Sequence, residues 1–163
     1  MSQLAPPPLL IAGLIAGMAA ERSALQKFIT LLDAEQQALL GKQAEQLLAL
    51  ADNKTQLIHT LGKLAGERTT HLSKQGVDIN LGGIEAWLQT HLADGLSTWH
   101  EIKQLAAQAR AKNQLNGELI QSTLRHTQNA LTALHHAAQK VHGLYGSDGQ
   151  ARLSSASRTL AAC

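Results

Sequence analysis

The sequence predicts an all-α protein: an elongated antiparallel three-helix coiled-coil bundle of long helices, with a short extra helix before the last one. Three observations carry this. First, Leu (29), Ala (26) and Gln (16) dominate the 163 residues, all good helix formers. Second, the chain has two Trp, one Tyr, one Phe and two Val, too few aromatic and β-branched residues to fill a pleated sheet. A sandwich, a barrel or a doubly wound α/β sheet with Val/Ile-rich strands is therefore excluded. Third, leucines recur at three-four spacing in three long stretches.

Residues 1–8 read as a flexible start ending in Pro6-Pro7-Pro8. Proline suits a first helical turn, where the amide it lacks would be unpaired anyway. No proline follows Pro8, so long helices are unobstructed. A bundle domain is expected over 9–145, with helices at about 9–40, 43–75, 84–92 and 95–144.

The first seam runs Leu14, Met18, Glu21, Leu25, Phe28, Leu32, Glu35, Leu39, and Gly41 is placed to close the helix. The second runs Leu47, Leu50, Lys54, Leu57, Leu61, Leu64, Arg68, Leu72 and stops at Lys74-Gln75-Gly76. A connector over 77–83 leads to the short helix. The third seam reads Leu96, Trp99, Lys103, Ala106, Arg110, Asn113, Gly117, Ile120, Leu124, Thr127, Leu131, Leu134, Ala138, Val141. Such a run fits a helix of about 45 residues, roughly 70 Å long. The tail, 146–163, is small and polar, too poor in apolar residues to fold alone, and is expected to be flexible.

Charge and special residues exclude several functions. The net charge is +2, with lysines scattered rather than gathered on a face, which argues against nucleic-acid binding. The only cysteine, Cys163, cannot form an intrachain disulfide. The apolar run Leu9–Ala20 lacks a preceding Lys or Arg, unlike a signal peptide, and is too short for a bilayer, so membrane insertion is not expected. The eight histidines include no pair three or four apart, the spacing that two helical metal ligands need. No phosphate loop or nucleophile elbow is present, so neither catalysis nor a cofactor is expected.

Polar residues on apolar seams stand out. Glu21, Glu35, Lys54, Arg68, Lys103, Arg110 and Asn113 read as register-setting positions whose long stems reach water. Asn113, Asn116 and Gly117 put weak helix formers into the last helix, and Gly117 should admit a close helix crossing with buried amide hydrogen bonds. Gly146 is placed to cap that helix, and Asp148-Gly149 to make a turn. Tyr145, the only tyrosine, stands at the junction of helix and tail, where a ring with a polar tip can pack or anchor a partner.

These segments together resemble the FlgN family of flagellar type III export chaperones. The resemblance rests on Asn113-x-x-Asn116-Gly117-x-Leu119-Ile120 followed by Tyr145-Gly146-Ser147-Asp148-Gly149-Gln150. Asp33–Leu39, the Lys54…Leu57…Leu61…Arg68 series and Trp87 are similar to earlier family segments. The resemblance implies a cytoplasmic chaperone that binds hook–filament junction (hook-associated) proteins, guards their aggregation-prone ends and delivers them to flagellar export gate or ATPase components. It implies client contacts at Leu131, Leu134, Val141 and Leu144, and an export-gate contact at Tyr145. The free chain would be a monomer or a homodimer. The seams alone fit equally a structural coiled-coil adaptor of another assembly.

Overall fold

The computed structural model describes residues 7–79 and 82–144, with side chains described through Gln139. Four helices follow in order: α1 (Pro8–Leu40), α2 (Ala44–Ser73), α3 (Gly83–His91) and α4 (Ala93–Leu144). The described residues contain no strand. They fall into two units, one ending at Leu119 and one beginning at Ile120.

α1 starts on proline, with the Leu10 and Ile11 amides donating to the Pro7 carbonyl. Leu14, Met18, Glu21, Leu25, Phe28, Leu32 and Glu35 are all buried, the phase that its three-four spacing predicts. By length and composition α1 also suffices to cross a membrane, with an 18-residue window of mean hydropathy 1.3. Within this structure 28% of that window is buried, and the helix sets two glutamates, Glu21 and Glu35, against basic partners on α2. The sequence pointed to Gly41 as the stop. Gly41 in fact keeps a right-handed helical conformation, and Lys42 takes the left-handed one (φ 54°). The Gln43 amide then donates to the Ala38 carbonyl at 2.9 Å, closing the end.

α2 lays Leu57, Leu61 and Leu72 against this core. It ends in a turn in which Gly76 adopts φ +71°, a conformation favouring glycine. A similar constraint opens α3. Gly82 has φ +71°, and a Cβ on Gly83 would lie 2.2 Å from the Asp78 carbonyl oxygen. α3 then buries Ile84 and Leu88, and Trp87 packs against the core while its ring stacks on His91 at 4.9 Å.

In α4 the structure corrects the expected phase. Ile102, Ala109 and Asn116 are buried, with Leu105 packed beside them, whereas Lys103, Ala106, Arg110 and Asn113 are exposed. The buried series lies one residue before the expected one, a rotation of about 100° on a helix. The expected seam runs on from Leu96 and Trp99, which do pack against the core, through the polar residues Lys103, Arg110 and Asn113. Burying Lys103 and Arg110 would have cost several kcal/mol each without partners. Ile102 and Leu105 are the apolar choice, and the core takes them.

Two groups of side chains fill the first unit. Leu14, Met18, Leu25, Leu72, Ile84, Leu88 and Ile102 form one, with Trp99 against it. Phe28, Ile29, Leu32 and Ala109 form the other. Phe28 and Trp99, both on the predicted seams, supply bulk to a core otherwise built from Leu and Ala. Fully burying a side chain such as Leu32 (0% exposed) contributes about 1.5–3 kcal/mol.

Candidate functional site

Within the first unit, polar groups join the helices at two levels. At one, Arg68 of α2 grips Glu21 of α1 with both nitrogens, Nε to Oε2 at 2.8 Å and Nη2 to Oε1 at 3.1 Å. The same guanidinium sits 4.6 Å from the centre of the Trp99 ring on α4. At the other, Lys54 Nζ donates to both Glu35 oxygens at 2.8 and 3.0 Å. Asn116 Nδ2 donates to Glu35 Oε2 at 2.7 Å and to the Leu32 carbonyl at 2.9 Å. Each level therefore joins an α1 acid, an α2 base and one α4 side chain. The levels are two heptads apart on both α1 and α2.

These contacts fix the chain directions. Glu21 meets Arg68 and Glu35 meets Lys54, so α2 runs opposite to α1. Arg22 meets Glu101, and Asp33 meets Lys112, so the first part of α4 runs with α1. The four carboxylate and base side chains of the two levels are at most 19% exposed. Each carboxylate is already occupied by donors, so the arrangement holds helices together rather than presenting a reacting group. The seam residues Glu21, Glu35, Lys54 and Arg68 are thus paired across the interface rather than extended to water. Their opposite signs at matching antiparallel positions were the signal that could have revealed this. The buried amide hydrogen bonds expected around Asn113, Asn116 and Gly117 are made by Asn116, although the expected seam ran through its neighbours Asn113 and Gly117.

Glu85 on α3 makes a further link, accepting from Lys103 of α4 with His100 Nε2 at 3.8 Å. The hydrogen bond from Lys103 holds the Glu85 carboxyl below the ordinary glutamate value; partial desolvation opposes this, and the Lys103 and His100 charges add to it.

The second unit presents the opposite situation. From Gln121 to Gln139 every side chain of α4 except Ser122 is exposed. Ile120, Leu124, Leu131 and Leu134 nevertheless keep three-four spacing, and they are 45%, 56%, 62% and 67% exposed. Thr127 and Ala138 complete the stripe. It is an amphipathic surface of the type that takes up another helix.

The predicted residues are distributed unevenly over these features. Leu131 and Leu134 lie on the exposed stripe. Val141 and Leu144 belong to α4, but their side chains are not among those described. Asn116 is buried at 1% exposure, Asn113 is exposed, and Gly117 has nothing within 4 Å of where a Cβ would stand. The close crossing expected at Gly117 is therefore replaced by open space, and the buried amide belongs to Asn116 alone. Tyr145, Gly146, Asp148 and Gly149 lie outside the described residues.

A family model described as FlgN protein matches residues 1–152, a span that takes in all four helices and both late sequence motifs. No curated protein and no solved structure matches the chain. A match over that much of 163 residues, on an all-helical chain with an uncovered amphipathic helix, settles the relationship: the chain belongs to the FlgN family, a family of flagellar export chaperones.

Proposed function

We propose that this chain is a cytoplasmic chaperone for hook–filament junction proteins, that it binds them through the stripe on the second half of α4, and that it brings them to the flagellar export gate or ATPase components. The observation that carries the reading is the exposure of Leu124, Leu131 and Leu134 on one helix face. Such a face leaves apolar surface in water at a cost that a partner helix relieves, each covered leucine contributing up to about 1.5–3 kcal/mol. A client segment that forms coiled coil only after assembly has the matching periodicity, and pairing with the stripe keeps it from aggregating. Val141 and Leu144 extend the same surface in this proposal, and Tyr145 makes the gate contact. The bundle of α1, α2 and the first part of α4 then serves as a three-helix base.

Tagged full-length chain, purified from flagellated cells that express the junction proteins, tests the reading. Co-elution with a junction protein is expected. Truncation after Lys140 is expected to abolish it, and survival of the complex would remove the client site from the end of α4. Absence of any complex, together with a stable self-associated species by light scattering, would instead favour a structural adaptor. Normal client secretion by Tyr145→Ala would remove the gate contact.

A further inference from the structure

We propose that, in the absence of client, a second copy of this chain covers the α4 stripe: the two stripes pair antiparallel about a point near residue 129, and client and second copy compete for one face. This deepens the docking reading above and rests on it. The stripe is strong at Ile120, Leu124, Leu131 and Leu134 and weak at Thr127 and Ala138, all exposed. Antiparallel helices set the two kinds of seam position against each other, layer by layer. With Leu124 opposite Leu134 of the second copy, Thr127 meets Leu131 and Ile120 meets Ala138. Each of the six layers then holds a leucine or an isoleucine. A slip of one heptad sets Thr127 against Ala138, and a slip the other way brings Asn113 and Gly117 into the pair. A parallel pair in register would stack Thr127 on Thr127 and Ala138 on Ala138, leaving two underfilled layers.

The flanks of the stripe also suit a copy of itself. At 100° per residue, Gln121, Gln128 and His135 border one side, and Thr123, Ala130 and Ala137 the other, all exposed. Antiparallel pairing brings like flanks together: Gln121 beside His135, Gln128 beside Gln128, Ala130 beside Ala130. A permanent charge on either flank would face its own sign across the pair. Neither flank carries one. Arg125, the only permanent charge between Glu118 and Lys140, falls about 140° from the stripe, on the outside of such a pair. The alanine flank is small enough for the second backbone to approach closely. A two-fold pair is closed, because each stripe is used up by the other, so association stops at two copies. The overlap from Ile120 to Ala138 spans about 28 Å, under three heptads. An interface of that size is weak and reversible, which lets client displace the second copy.

The test uses the full-length chain carrying Cys163→Ser, so that an added cysteine is the only one. Ala130→Cys should link to its own counterpart under mild oxidation, because the two positions stand side by side in the pair. Gln121→Cys should stay unlinked, its counterpart lying about 24 Å along the axis. Light scattering should show the mass of the Cys163→Ser chain doubling as concentration rises from micromolar to millimolar, and Leu131→Asp should hold it at the monomer. Circular dichroism checks the helicity of each variant. A saturating hook–filament junction protein should cut the Ala130→Cys linkage about tenfold or more, as competition for one face requires. Linkage through Gln121→Cys would overturn the antiparallel register. A chain that stays monomeric at every concentration, yet binds the junction protein and loses it in Leu131→Asp, would overturn this inference and leave the docking reading standing. Linkage undiminished while the junction protein is bound would place the client elsewhere and overturn both.

Discussion

Asn116 of α4 reaches across to Glu35 of α1 with a 2.7 Å hydrogen bond, and both side chains are buried, at 1% and 6% exposure. The same amide nitrogen donates to the Leu32 carbonyl, and Lys54 of α2 supplies the remaining donors to Glu35. A buried carboxylate keeps its charge only while it is paired and hydrogen-bonded. Asn116 therefore belongs to a network in which three helices depend on one another, and no apolar residue could replace its donor to Glu35.

Asn116→Ala is expected to destabilise the chain by about 1–3 kcal/mol, since it strips a donor from a buried carboxylate. Urea denaturation followed by circular dichroism reads this directly. A change below about 0.5 kcal/mol would show that water replaces the amide there.

The Glu21–Arg68 level separates stability from specificity. Arg68→Ala should cost about 3–5 kcal/mol, because it leaves Glu21 buried without a partner. Glu21→Leu combined with Arg68→Met should fall within about 1–2 kcal/mol of the original chain. The double variant should then lose the single α1–α2 register, giving more than one distance between spin labels on the two helices. One sharp distance, unchanged from the parent chain, would show that apolar packing alone sets the register.

Gly117→Ala is expected to stabilise α4 by about 0.5–1 kcal/mol, as alanine does in an unobstructed helix interior. Thermal or urea unfolding measures it. Loss of stability would mean that a helix does cross closely at this position.

The Glu85–Lys103 pair gives a pH dependence of definite sign. The folded-state carboxyl titrates below its ordinary value, so its contribution to folding is present above the unfolded value and fades as pH falls through the folded one. The pair is exposed, and the effect on total stability is correspondingly small. Carboxyl chemical shifts should place the Glu85 midpoint below the glutamate norm, and Lys103→Met should raise it. An unaltered midpoint in the variant would remove Lys103 as the cause.

The seams of α1 and α2 were legible because their apolar residues are dense and each interrupting charge has an opposite charge in register. Glu21 with Arg68 and Glu35 with Lys54 do not disturb the pattern; they complete it. α4 was legible as a helix but not in phase. Its expected seam joined Leu96 and Trp99 to the leucines after Ile120 in one unbroken alternation, which passes one residue away from Ile102, Leu105 and Ala109. Periodicity reports where apolar residues align, not which aligned stripe finds a neighbour. Local rules failed at Lys42 for a related reason. Gly41 looked like the left-handed residue, but the closing Gln43–Ala38 bond places that conformation one position later. Of the expected contact residues, Leu131 and Leu134 were chosen by resemblance, and their exposure is a property of tertiary packing that no spacing rule contains. Asn116 stood in a cluster expected to make buried amide hydrogen bonds, and its bonds to Leu32 and Glu35 explain why a weak helix former is there.

The central claim is that the α4 stripe is where the client binds. Isothermal titration of a purified hook–filament junction protein into the full-length chain and into Leu131→Asp/Leu134→Asp tests it most directly. Both positions are exposed, so the variant should keep its helix content and unfolding midpoint. The account predicts binding by the original chain and at least a hundredfold loss in the variant, about 2.7 kcal/mol. Equal affinity of the two proteins for the client would contradict it.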